Sequence, residues 1–202
     1  MTWVKVCGLT SEGDVADAVD AGADALGFVL AAESPRRVSL ERATALMDGV
    51  PALRILVTVD ASAEVIATMV KATGADGIQP HGRHAESAAL WAQHAGFLVL
   101  RPIGSDSFET RDAEAIAEGQ IPLFDSATGD RHGGTGMPLD WTAIDWPERR
   151  FVLAGGLHPG NVAEAIATVN PWGVDASSGL ESEPGIKDAA RVAAFVEEAK
   201  RI

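Results

Sequence analysis

Two glycine-bearing turns near the end of the chain are the clearest chemical signal in the sequence. Gly155-Gly156 follows the short apolar run 151–154, and Ser177-Ser178-Gly179 follows the run 173–176. Each turn precedes a helical pattern, so its backbone N–H groups lie where an anion is favoured. One such turn would indicate only a tight bend. Two on consecutive parallel strands predict a phosphate site.

A cysteine and an aspartate close two other apolar runs. Cys7 ends the run 3–7 and Asp125 ends the run 121–125. Side chains at the ends of separate parallel strands suit acid/base chemistry on a substrate lying between them. A thiol with a pKa of about 8.5 needs nearby donors or positive charge to act as a base, and Lys5 is one source whose direction strand alternation leaves open. The alternatives are a core role for Cys7 and a loop-capping role for Asp125.

Two basic side chains are candidates for binding a substrate. Arg36 follows a proline that stiffens its loop, and its guanidinium could clamp a carboxylate through two hydrogen bonds; the alternative is a solvated surface arginine. His81 either donates to a substrate or is an incidental loop residue. The other histidines have no metal-ligand spacing, and with one thiol in the chain no metal site is predicted.

The elements that must position these residues alternate regularly between strand and helix. Strands are predicted at 3–7, 25–30, 54–59, 77–79, 97–101, 121–125, 151–154 and 173–176. Helices are predicted after most of them, opening at Ser11 and Ser39, then at 63–72, 85–94, 113–118 and 186–199, with a weak helical turn at 139–144. Strict alternation predicts an all-parallel sheet, and eight units favour a closed (β/α)8 TIM barrel. A doubly wound open sheet is the alternative.

Whole-chain properties restrict the class of protein further. The 202 residues predict a single domain, 1–202, and the net charge of −13 argues against nucleic-acid binding. No apolar run approaches the ~20 residues of a membrane span, and the first residues lack the layout of a secretory signal. The only cysteine cannot form an internal disulfide. We expect a cytoplasmic protein without a membrane partner that binds a phosphorylated small molecule.

Seven short motifs, in chain order, resemble those of the phosphoribosylanthranilate isomerase family of tryptophan biosynthesis. They are KVCGLT at 5–10, SPR at 34–36, QPHG at 79–82, FDS at 124–126, GGTG at 133–136, LAGGLHPGNV at 153–162, and VDASSGLES with PGIKD within 174–188. The resemblance covers essentially the whole chain. It implies a (β/α)8 barrel and the Amadori rearrangement of N-(5-phosphoribosyl)anthranilate to the 1-deoxyribulose 5-phosphate ketose.

The resemblance also implies a role for each matching residue. Cys7 would be the general base and Asp125 the general acid, and Arg36 would bind the anthranilate carboxylate. The phosphate would be bound by Gly155, Gly156, Ser178 and Gly179, and contacts to substrate would come from His81 and Asp175. The loop 126–136 would be a mobile lid. No metal or organic cofactor is implied, because the nitrogen of the substrate serves as the electron sink. The resemblance also implies a monomer or a homodimer.

The chain departs from the family pattern at Pro80, where leucine is common, and a proline there would displace His81. Two other functions stay open on residues alone. One is a different phosphosugar barrel enzyme, such as an epimerase or an aldolase, although none of the four lysines stands out as a Schiff-base residue. The other is a barrel that binds a phosphorylated ligand or a partner subunit without turning it over.

Overall fold

Eight parallel strands close into a barrel in the computed structural model, which describes residues 1–104, 110–125, 141 and 144–202. The strands are β1 (Trp3–Cys7), β2 (Ala25–Val29), β3 (Leu53–Val59), β4 (Gly77–His81), β5 (Leu98–Gly104), β6 (Ile121–Asp125), β7 (Val152–Leu153) and β8 (Gly173–Ala176). Each strand pairs with the next, and β8 pairs with β1. The predicted (β/α)8 barrel is confirmed, and the open-sheet alternative is wrong.

Seven α-helices lie within the described residues. They are α1 (Glu12–Asp20), α2 (Leu40–Met47), α3 (Ala63–Thr73), α4 (Ala85–His94), α5 (Thr110–Ala115), α6 (Val162–Val169) and α7 (Ala189–Lys200). Serine side chains cap the first three helices by accepting from a backbone N–H of the first turn, and Ser11 forms a full capping box with Asp14. The helix starts predicted at Ser11 and Ser39 are therefore confirmed.

Side chains alternate between two sides of the barrel wall. One side carries Val4 and Val6 of β1, which join the large cluster formed with the surrounding helices. The other side carries Trp3 and Cys7, which lie in two smaller clusters inside the barrel. Because the side-chain period of a strand is two, Lys5 must share the interior face with Trp3 and Cys7. The direction of Lys5, open from the sequence, is therefore inward.

The ladders around the barrel are of unequal length. Five residue pairs join β2 to β3, and five join β3 to β4. The β4–β5 ladder has two pairs, Gly77 with Leu98 and Ile78 with Val99, and β7 is joined to each neighbour by two. The prediction that β4 stops at Pro80 is wrong, because the strand continues to His81. The missing N–H of Pro80 lies beyond the last β4–β5 pair, where no ladder bond to β5 is lost.

The chain after β8 differs most from its prediction. A helix was expected from residue 186, but α7 begins at Ala189. The preceding residues form a three-residue 3₁₀ turn, Ser178–Leu180, and an antiparallel hairpin of β9 (Glu181–Glu183) and β10 (Ile186–Lys187). Pro184-Gly185 makes the turn of this hairpin, and Gly185 has a φ of +85°. A Pro-Gly pair is typical of a turn, and it overrides the helical pattern here.

Some predictions fall outside the described residues. These are the lid loop at 126–136 with its GGTG motif, and most of the helical turn at 139–144. Helix α5 begins three residues before its predicted start. Within the described part of the chain, no helix is both long and apolar enough to cross a membrane.

Candidate active site

A chain of polar side chains crosses the barrel interior between β1, β4 and β8. The Lys5 ammonium donates to Asp175 Oδ2 at 2.7 Å and to Gln79 Oε1 at 2.9 Å. The Gln79 amide nitrogen lies 3.2 Å from Nε2 of His81, two residues further along the same strand. Lys5 is fully buried, which by itself would lower its pKa, but Asp175 and Cys7 together outweigh this and raise the pKa of Lys5. Lys5 therefore stays charged inside the barrel.

The Cys7 thiol lies next to this cation, at the carboxyl end of β1. Cys7 is 8% exposed, and it packs with Val29 and Val57 of the neighbouring strands. Burial raises the pKa of the thiol, and the positive charges of Lys5 and Lys187 oppose that rise. The environment of Cys7 in the free protein thus favours the protonated thiol. Of the described side chains, Lys5 does most to lower the pKa of the Cys7 thiol and so to favour the thiolate.

Glycine opposite the thiol gives it room. A Cβ built on Gly27 of β2 would lie 2.7 Å from Cys7 Sγ, closer than real Cβ contacts allow. Gly8, which follows Cys7, has a φ of +78° and turns the chain out of β1. A Cβ on Gly8 would lie 2.5 Å from Cδ of Arg36 and 3.0 Å from Oγ of Ser177. The side chains of Arg36 and Ser177 therefore meet over the residue after the thiol.

Asp125 occupies the corresponding end of β6. It is half-buried and pairs in register with Gly104 of β5. The alternate residues Ile121 and Leu123 belong to the interior cluster, so strand alternation places Asp125 on the interior face as well. The structure thus brings the predicted acid and base to the carboxyl end of one barrel, on β6 and β1.

Arg36 is held by a carboxylate that the sequence did not single out. Its Nε and Nη2 donate to Oε1 and Oε2 of Glu181, at 2.6 and 2.8 Å. Glu181 also accepts from the Lys187 ammonium at 2.8 Å. Burial would raise the pKa of Glu181, but hydrogen bonds from Arg36 and Lys187 hold it below its ordinary value. Arg36 is therefore not the solvated surface arginine of the alternative prediction.

The two glycine turns predicted to bind phosphate lie against each other. Gly155 and Gly156 have φ values of +85° and +67°, which favour glycine. A Cβ built on Gly179 would lie 2.1 Å from the carbonyl oxygen of Leu157. This close approach joins the turn after β7 to the turn after β8. Asn161 braces the first turn by donating from Nδ2 to the Gly156 carbonyl at 3.1 Å.

Sequence reasoning missed Glu181 and Lys187 and left Lys5 undecided. The signal for the first two was the Pro-Gly turn, because residues on either side of it face each other in a hairpin. For Lys5 the signal was the alternation of Trp3, Lys5 and Cys7 in one apolar strand. Among the described residues, no group of three or more His, Cys, Asp or Glu side chains is arranged to hold a metal ion.

The closed parallel barrel, with its acidic, thiol and basic side chains at the carboxyl ends of the strands, defines a (β/α)8-barrel enzyme. The family model of N-(5'phosphoribosyl)anthranilate (PRA) isomerase matches residues 4–198. The chain belongs to this family.

Individual relatives agree with the family model. The N-(5'-phosphoribosyl)anthranilate isomerase of Halobacterium salinarum is 42% identical, and the match covers 97% of this chain and 94% of the relative. The crystal structure of phosphoribosyl anthranilate isomerase from Thermotoga maritima is 33% identical with a TM-score of 0.86, covering 100% of both chains. A complex of the isomerase with reduced 1-(o-carboxyphenylamino)-1-deoxyribulose 5-phosphate is 32% identical, with a TM-score of 0.83 and the same coverage. The predicted family and the predicted isomerase activity are confirmed.

Proposed function

We propose that this isomerase converts N-(5'-phosphoribosyl)anthranilate to 1-(2-carboxyphenylamino)-1-deoxyribulose 5-phosphate by general acid/base catalysis, with Asp125 as the acid and Cys7 as the base. Asp125 protonates the furanose ring oxygen as the ring opens to the Schiff base. Cys7 then takes the proton from C2′, the electrons moving to the substrate nitrogen. The resulting enolamine tautomerises to the ketone. Electrons are only redistributed within the substrate, so no external oxidant or reductant is required.

The observation that carries this proposal is that Arg36 and the turn that begins at Ser177, the two proposed anion-binding groups, both lie beside the Cys7 thiol. Arg36 and Ser177 both lie against Gly8, the residue after Cys7. Arg36 is suited to the anthranilate carboxylate. Ser177 begins the turn that continues into Ser178 and Gly179, and this turn contacts the one that contains Gly155 and Gly156. A substrate with a carboxylate at one end and a phosphate at the other would thus span the ends of β1, β7 and β8.

The substrate roles of the interior residues are also proposals. Asp175 Oδ2 is bonded to Lys5, whereas no described group donates to its buried Oδ1. We assign Oδ1 as the acceptor for a substrate hydroxyl. His81 stands at the end of β4 with its ring beside Gln79, and we assign it a polar contact to the ribose chain. The absence of a cofactor, a cytoplasmic location and a monomeric or homodimeric state stay predictions from the sequence.

The test of the acid/base assignment is a fluorescence assay with substrate generated in situ from anthranilate. Cys7→Ser and Asp125→Asn should each lower kcat about 10²–10⁴-fold, while a stable product analogue still binds. Thr58→Val is the control, because Thr58 Oγ1 is buried without a partner among the described residues and the exchange breaks no described hydrogen bond. Full activity in either variant would remove that residue from the mechanism. A wild type that binds the analogue without turnover would favour a binding protein.

A further inference from the structure

The hairpin of β9 and β10 packs against the loops that follow β1 and β2. The hydroxyl of Thr10, after β1, donates to the Gly185 carbonyl at 2.9 Å. A Cβ on Gly185 would lie 2.7 Å from the carbonyl oxygen of Pro35, the residue before Arg36. The tip of the hairpin is therefore in contact with both loops. This contact brings its first and last residues, Glu181 and Lys187, to the side chain of Arg36.

These three side chains form a buried cluster with an excess positive charge. The side chains of Arg36, Glu181 and Lys187 are 15%, 5% and 0% exposed. Glu181 accepts from both cations, and the Lys187 ammonium also donates to the backbone carbonyl of Ser177 at 3.1 Å. An isolated arginine–carboxylate pair would be neutral. Burial lowers the pKa of Lys187, and the hydrogen bond to Glu181 opposes that change. With Lys187 protonated, two cations share one carboxylate, and the cluster has one positive charge in excess for an incoming anion.

The arginine also keeps hydrogen-bond donors for that anion. A guanidinium has five N–H groups, and Glu181 takes one from Nε and one from Nη2. No described group accepts from Nη1. The bidentate contact fixes the plane of the guanidinium, and the aliphatic part of the same side chain lies against Gly8 at the end of β1.

We propose that Glu181 is a positioning residue that fixes Arg36 for recognition of the anthranilate carboxylate, with Lys187 supplying the charge that keeps the cluster attractive to anions. The inference rests on the proposed function, in which Arg36 binds that carboxylate. Glu181 itself does not touch substrate. Its effect on binding should therefore depend on whether the ligand carries a carboxylate.

The test compares two stable product analogues, made by reductive coupling of the phosphosugar to anthranilate or to aniline. They differ only in the carboxylate, and their dissociation constants are measured by titration calorimetry. Glu181→Gln should weaken the anthranilate analogue about 10–100-fold, the range for hydrogen bonds that involve charged groups. The aniline analogue should weaken less than about threefold. Glu181→Asp, which keeps the charge but shortens its reach, should lie in between, and it decides the question if Glu181→Gln does not fold.

The matched control is Asp76→Asn. Asp76 holds Arg54 by the same bidentate geometry, with distances of 2.7 and 2.8 Å, and lies in the loop before β4, at the opposite end of the barrel. The Asp76→Asn variant should leave the dissociation constants of both analogues unchanged. Equal weakening of both analogues by Glu181→Gln, or no weakening, would overturn the positioning role. A wild type that does not discriminate between the analogues would overturn carboxylate recognition by Arg36. A wild type that binds neither would instead overturn the proposed function.

Discussion

Gly179→Ala tests the phosphate site through the contact between the two glycine turns. The added methyl group would lie 2.1 Å from the Leu157 carbonyl oxygen and 3.0 Å from Cβ of His158. The oxygen belongs to the backbone of the turn after β7, so no flexible side chain can yield. The two turns must separate by about 0.9 Å to bring the methyl group even to 3.0 Å, the shortest separation that real Cβ contacts show.

A separation of this size should have a large effect on binding and a smaller one on stability. Misplacement of a binding group by about 1 Å can cost about 10²-fold in activity. We therefore expect kcat/KM to fall about 10²-fold, mainly through KM, and competitive inhibition by inorganic phosphate to weaken in parallel. Overpacking of this kind costs about 1–3 kcal/mol in the free energy of unfolding, which leaves the protein folded.

The assay combines steady-state kinetics, phosphate inhibition and thermal unfolding. Gly13→Ala is the control, because a Cβ on Gly13 of helix α1 would lie 3.7 Å from Oγ of the cap residue Ser11, an ordinary van der Waals contact. Alanine in place of glycine in the first turn of α1 should not destabilise the protein, and it should leave KM unchanged. If Gly179→Ala lowers the unfolding temperature but leaves phosphate inhibition intact, the paired turns do not bind the phosphate and the reasoning fails.

Two further predictions concern the interior of the barrel. Burial raises the pKa of Cys7 and Lys5 opposes that rise, so Lys5→Met should move the titration of the thiol to higher pH. Because Cys7 is the only cysteine, the titration can be followed by ultraviolet absorbance of the thiolate. An unchanged titration would refute the coupling. The rings of Trp172 and Trp3 stack with their centroids 4.9 Å apart, and the Arg150 guanidinium lies over the Trp172 ring. Trp172→Ala should therefore lower the free energy of unfolding by about 2–3 kcal/mol, less than the ~3–5 kcal/mol of a fully buried aromatic, and leave kcat/KM unchanged. A loss below about 1 kcal/mol would contradict this.

Most of the barrel follows from local signals in the sequence. Ser11 and Ser39 have the residue type and spacing of helix caps, and β1, β6 and β8 have the predicted bounds. These features depend on side chains a few residues apart, which the sequence displays directly. The placement of Cys7 and Asp125 at strand ends follows from the strands themselves.

The partners of Arg36 did not follow from the sequence. Glu181 lies 145 residues away along the chain, and only closure of the barrel brings β8 and its hairpin beside the loop after β2. The same holds for Lys5 and Asp175, which meet because β8 pairs with β1. Residues 186–188 have apolar and charged side chains compatible with a helix. The contact of Gly185 with Thr10, which is distant in the sequence, stabilises a hairpin instead.

The unequal ladders of the barrel wall have a consequence for its internal motions. Strands β2 and β3 are bound by long ladders on their shared edge, whereas β7 is joined to β6 and β8 by two residue pairs each. Backbone amides of β7 should therefore exchange with solvent through local opening, and those of β2 and β3 only through global unfolding. The turn of Gly155 and Gly156 is thus carried by the strand with the fewest ladder pairs, so its backbone opens locally more often than that of β2 and β3. The half of the wall opposite it acts as a rigid frame.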